Sequence, residues 1–128
     1  MKTVTPSHLN YDTVNELLVA HLPALRTRYD ELLKWWGDEK PGPHVVYGDL
    51  LNPFLEHAAR TDDGATLTRI FELVEILAEC KDARVRDVVN ATICDYIVAN
   101  EPVFKRARLA MGPSTRRQCE EVARARVR

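Results

Sequence analysis

The sequence predicts an all-α protein of six or seven helices, packed as an irregular bundle or a short α-solenoid. Three observations lead there. Apolar residues recur at three- and four-residue steps in one segment after another. Pro, Gly and Asp/Asn punctuate the joints between those segments. No two alternating apolar–polar runs exist that could pair as strands. The chain of 128 residues, 45% hydrophobic and 29% charged, has the length and composition of one globular domain, 1–128. A core of that size needs no metal or disulfide to hold it.

The elements follow in order. Val14, Leu17, Leu18 and Leu22 form a stripe over 11–22, with Asn10 or Asp12 as cap and Pro23 as stop. Pro23 suits the opening of a second helix, about 24–36, whose face carries Leu25, Tyr29, Leu32, Leu33 and Trp36. Gly37 closes it, and residues 1–36 make an N-terminal hairpin. Two prolines and two glycines within 37–43 impose a loop, 37–44, before the core at 45–112. From Val45 to Arg60, the stripe Tyr47, Leu50, Leu51, Phe54, Leu55, Ala58 passes through Pro53 without changing phase. That predicts one helix kinked at Pro53; the alternative is a new helix capped by Asn52. Val45–Tyr47 could also be a short strand, but no partner run is present.

Thr61–Gly64 is a turn that supplies a cap. Helix 65–80 buries Leu67, Ile70, Phe71, Val74 and Leu77. Asp82 caps helix 83–99, which carries Val85, Val88, Val89, Ile93, Tyr96 and Ile97. These two strongly periodic helices are expected to form the core hairpin. A short helix over 102–111 carries Val103, Phe104, Ala107 and Met111, and Gly112-Pro113 ends it. Ser114 or Thr115 should cap the final helix, Thr115 and Gln118 having capping-box spacing. That basic helix, 113–128, offers only Cys119, Val122 and Ala123 for burial, and its end is expected to fray.

Two resemblances add to this. Asp82-Ala83-Arg84-Val85-Arg86 resembles the Asp-x-x-Val-Arg opening of a HEAT-type helix, which implies a HEAT-like hairpin with Asp82 as cap, Val85 in the core and Arg86 reaching a neighbouring element. His44-Val45-Val46-Tyr47-Gly48-Asp49-Leu50-Leu51-Asn52-Pro53-Phe54-Leu55, with Arg69–Glu75 and Asp95-Tyr96-Ile97, is similar to small all-helical bacterial proteins of the immunity side of toxin–immunity pairs. That similarity spans about residues 44–112 and brings no catalytic residues. It implies a non-catalytic, cytoplasmic partner of a cognate protein toxin. The family more often has Glu at the position of Asp95.

Charge is uneven. Residues 1–100 hold ten Lys/Arg against sixteen Asp/Glu, and residues 101–128 hold eight against three, so a body of −6 carries a tail of +5. Such a body attracts a basic protein and repels nucleic acid, while the tail either touches nucleic acid or lies on the body. No 18-residue apolar run marks a membrane span, and the N-terminus has no apolar signal-peptide core, which points to the cytosol.

No catalytic residue, cofactor or metal site is expected. His8, His21, His44 and His57 lack ligand partners at helical spacing. Cys80, Cys94 and Cys119 have no base nearby in sequence, and Ser7 and Ser114 are cap-type serines. Glu72, Glu75 and Glu79 lie on one strip, either a solvated face or a seat for a cationic partner. Glu75 stands at the edge of the apolar stripe and should seek Arg, Tyr or a backbone donor. Asp95 sits at a similar edge; if the two converge they form an acidic groove. Trp35 points about 100° from Trp36, so it either anchors an interface or packs under the 37–46 loop. The partner-binding set is therefore Glu72, Glu75, Glu79, Asp95 and Trp35. The expected function is a protein-binding module that masks a toxin through an acidic face. The alternative is a nucleic-acid-associated regulatory module using Arg-rich 105–128. On the first reading, truncation after Gly112 should weaken partner binding less than charge reversal at Glu72 and Glu79, provided the fold survives.

Overall fold

The computed structural model of the chain describes residues 9–127; Ser7, His8 and Arg128 lie outside them. The described residues form seven helices and no strand. They are α1 (Val14–His21), α2 (Arg26–Trp36), α3 (residues 43–60), α4 (Gly64–Ala78), α5 (residues 83–98), α6 (Glu101–Ala107) and α7 (Pro113–Val127). Single 3₁₀ turns at Pro23–Leu25 and Arg108–Ala110 lead into α2 and out of α6. None of these helices is long and apolar enough to cross a membrane.

The joints form for local reasons. Asn10 accepts from the backbone N–H of Asp12 and Thr13, turning the chain into α1. Gly37 closes α2 with φ +65°, a conformation side chains resist. Pro43, expected in the loop, is instead the first residue of α3, where its missing N–H costs nothing. Asp63 accepts from Thr66 N–H at the start of α4, and Asp82 accepts from Arg84 N–H at the start of α5. Asp82 also accepts from Tyr11 N–H at 3.0 Å, tying the turn before α1 to the start of α5.

α3 runs through Pro53 unbroken, and Asn52 is a helical, buried residue rather than a cap. Residues Tyr47–Leu51 form a π-helical turn, with Asn52 N–H bonding to Tyr47 C=O. Pro53 has no N–H to give the carbonyl four residues back, so the strain expected as a kink appears as this widened turn. A second π segment, Val88–Cys94, interrupts α5 and packs on the first. Thr92 Cγ2 lies against Gly48, and Asn52 Nδ2 donates to the Thr92 carbonyl at 3.2 Å.

The core is the antiparallel pair α4–α5, covered by α3 on one side and α7 on the other. Leu67, Ile70, Leu73, Val74 and Leu77 of α4 are fully buried, as are Val85, Val88, Val89, Ile93 and Ile97 of α5. Phe71→Ala and Ile93→Ala should each destabilise by about 2–5 kcal/mol, because both side chains are wholly enclosed and leave cavities behind. Urea unfolding reads this directly. Losses below about 1 kcal/mol for both would mean that α4 and α5 are not the core.

Candidate functional site

α7 is positioned by the two carboxylates that the sequence placed at the edges of the core. Glu75, on α4, reaches the first turn of α7. Its Oε2 accepts from Ser114 N–H at 2.9 Å, and its Oε1 accepts from Thr115 N–H at 2.9 Å and Thr115 Oγ1 at 2.8 Å. A residue from another helix thus caps α7. The capping box expected of Thr115 and Gln118 does not form, because Ser114 and Thr115 are already inside the helix and Gln118 turns to the Arg86 carbonyl. Gly112 permits the approach: a Cβ there would sit 2.5 Å from Glu75 Cδ. At the far end of α7, Arg126 donates to Asp95 Oδ1 at 2.9 Å. Ser114 and Arg126 are twelve residues apart, roughly 18 Å along a helix. Glu75 and Asp95 therefore make no common groove; they hold opposite ends of one helix.

Burial pushes the Glu75 carboxyl up, but the donors on Ser114 and Thr115 outweigh it and hold the group below its ordinary 4.5. The Arg84 hydrogen bond, against some desolvation, brings Asp82 down to about 2. A carboxylate depressed in the folded state contributes stability above its unfolded pKa, and that contribution disappears as pH falls through the folded value. Thermal melts should therefore shift downward between about pH 4.5 and pH 2, and Glu75→Gln should flatten the upper part of that slope. A melting temperature independent of pH across this window would contradict the capping role.

The rest of the acidic set stays outside. Glu72 is exposed on α4; Glu79 is exposed just past the helix end, which falls at Ala78 rather than residue 80. Neither enters an ion pair among the described residues. Trp35 is 82% exposed and does not pack under the loop. Its helix is anchored by buried Tyr29, with Leu32 and Leu33 partly buried against the core and Trp36 half-buried, so Trp35 stands out alone from α2. Glu31, Asp38 and Glu39 are exposed around it.

Two arrangements were not anticipated. A groove of about 500 Å³ opens between α6 and α7, with Phe104 and Leu109 in it and Lys105, Arg108, Arg116 and Glu101 around it. Leu109 is 77% exposed. The clue available in sequence was phase: Leu109 lies off the Val103–Ala107–Met111 stripe. The second arrangement is polar. His44 Nδ1 lies 2.6 Å from Thr92 Oγ1, and His44 Nε2 lies 3.7 Å from Asp87 Oδ2. That order of hydroxyl, imidazole and carboxylate belongs to nucleophilic catalysis. Here Thr92 Cγ2 lies against Gly48 of α3. The three side chains join the first turn of α3 to α5.

No curated protein and no solved structure matches this chain. Residues 15–125 do match a family, described as a domain of unknown function, DUF7674. The matched span begins inside α1 and ends within the last turn of α7, so it takes in the core pair, the Glu75 cap and Trp35. The chain belongs to the DUF7674 family.

Proposed function

We propose that this chain is a non-catalytic protein-binding module, and that it acts as an immunity protein that masks a cognate bacterial toxin by occlusion. The observation that carries the binding role is Trp35, a large aromatic at 82% exposure on the last turn of α2. Buried Trp anchors ringed by polar groups dominate the energetics of protein interfaces. Glu72 and Glu79, both exposed and outside the ion pairs among the described residues, supply the acidic character that steers a basic partner. The similarity of residues 44–112 to immunity-type proteins is what names a toxin as that partner. A nucleic-acid role for 105–128 has less support, since Arg126 is paired with Asp95 and Arg116 donates to the Arg108 and Met111 carbonyls.

The test begins at the neighbouring gene, where this reading expects a large secreted protein with a C-terminal toxin domain immediately upstream, and continues with co-expression of that domain and this chain. The wild type should protect bacterial growth. Trp35→Ala should bind that domain at least about 30-fold more weakly, as loss of an interface anchor does. Reversal of Glu72 and Glu79 to Lys should slow association, most at low salt. Protection undiminished by all three substitutions, or none from the wild type, would refute this function.

A further inference from the structure

Trp35 and Leu109 are the two large apolar side chains that the fold leaves exposed among the described residues, at 82% and 77%. The charges around them are opposite. Glu31 lies one turn before Trp35, and Asp38 and Glu39 follow the helix end, against Lys34 and Lys40. The Leu109 groove is lined by Lys105, Arg108 and Arg116 with Glu101, and Glu120 pairs with Arg108 at its rim. Its guanidinium groups are held in place: Arg108 pairs with Glu120 at 3.0 Å, and Arg116 donates to the Arg108 carbonyl at 3.2 Å. Lys105 is in no ion pair among the described residues.

We propose that this groove receives Trp35 of a second copy of the chain, its carboxylates Asp38 and Glu39 meeting the cationic rim. A cavity of about 500 Å³ that includes Phe104 and Leu109 in its lining accommodates an indole, which presents roughly 200 Å² for burial. The chain's own N-terminal segment is a poorer occupant, since residues 1–8 contain Lys2 and no Asp or Glu. The contact is head-to-tail: one copy contributes the indole, the other the groove. A contact built on one anchor is weak and concentration-dependent. It shares with the proposed function the premise that Trp35 is a contact residue, and it implies that a toxin and a second copy compete for that residue.

Sedimentation velocity over about 10 μM to 1 mM tests it. The wild type should associate progressively, more at low salt. Trp35→Ala and Leu109→Glu should each remain monomeric with unchanged helical circular dichroism, both side chains being on the surface. An equimolar mixture of the two variants should then form a one-to-one dimer, because each retains the half the other lacks. Lys105→Glu with Arg116→Glu should abolish that dimer. A wild type monomeric throughout, or two variants that fail to combine, overturns the proposal. So does a monomeric protein whose groove takes up a single-stranded oligonucleotide, which would assign it to nucleic acid. A monomer leaves the growth-protection test standing, and failed protection leaves the complementation of the two variants standing, so the two ideas fail separately.

Discussion

A chain ending at Gly112 loses cooperative unfolding and exposes its core. α7 covers α4 and both halves of α5, and it brings Thr115 and Cys119 to complete burial with Val122 and Ala123 partly enclosed. Without it, the Glu75 carboxylate loses its donors, Asp95 loses its cation, and the wholly buried Cys94 loses the buried Cys119 thiol beside it. The expected loss is about 5 kcal/mol or more, comparable to the whole stability of many domains this size. Two readings check it. Thermal unfolding should broaden into a gradual loss of ellipticity, and Cys94, unreactive in the full chain, should react readily with a thiol reagent. A sharp melt within a few degrees of the full-length protein would show that α7 is an accessory.

The second large effect comes from a single residue. Glu75→Ala removes three acceptor contacts at once and leaves the N–H groups of Ser114 and Thr115 without partners at a half-buried helix start. Loss of a cap costs about 0.5–2 kcal/mol, and stranded donors to a charged acceptor add to it, so a loss of about 2–4 kcal/mol is expected. Gly112→Ala should cost nearly as much by a different route. Its methyl group would meet Glu75 Cδ and Oε1 at 2.5 and 2.6 Å and push the carboxylate off its donors. The two changes remove one interaction, so they should not add. In the Glu75→Ala background, Gly112→Ala should cost less than about 1 kcal/mol. Full additivity in urea unfolding would mean that Gly112 matters for some reason other than Glu75.

Much of the fold was legible because its signals are local. The 3.6-residue stripes of α4 and α5, the Asp63 and Asp82 caps and the Gly37 stop each depend on a few neighbouring residues. The need of Glu75 for a donor was also legible, since a carboxylate at the edge of an apolar stripe has few other ways to be satisfied. Its partner was not, because the donors lie about forty residues downstream and the local Ser/Thr-x-x-Gln pattern offered a competing cap. The π segments were hidden for a related reason. An i→i+5 turn inserted in a helix leaves the apolar stripe nearly in phase on either side. Trp35 could be read only to a choice of two environments, which depended on where the 37–42 loop ran. Residues Pro41 and Gly42 dock on α1 and Tyr11, away from the indole. The basic tail was read as a net charge. Which of its arginines face carboxylates depends on how α7 crosses α5, and only the fold determines that.

Native-state amide hydrogen exchange tests most directly whether the basic segment is part of the body. If Glu75 and Asp95 clamp α7 across the core, the amides of Thr115 to Val122 open only when the protein unfolds. They should then exchange as slowly as those of Leu67 to Leu77 in α4, with the same free energy of opening and the same response to denaturant. Exchange of the α7 amides at the rate of the exposed 37–40 loop, while α4 remains protected, would contradict the clamp and return residues 113–127 to the role of a free basic arm.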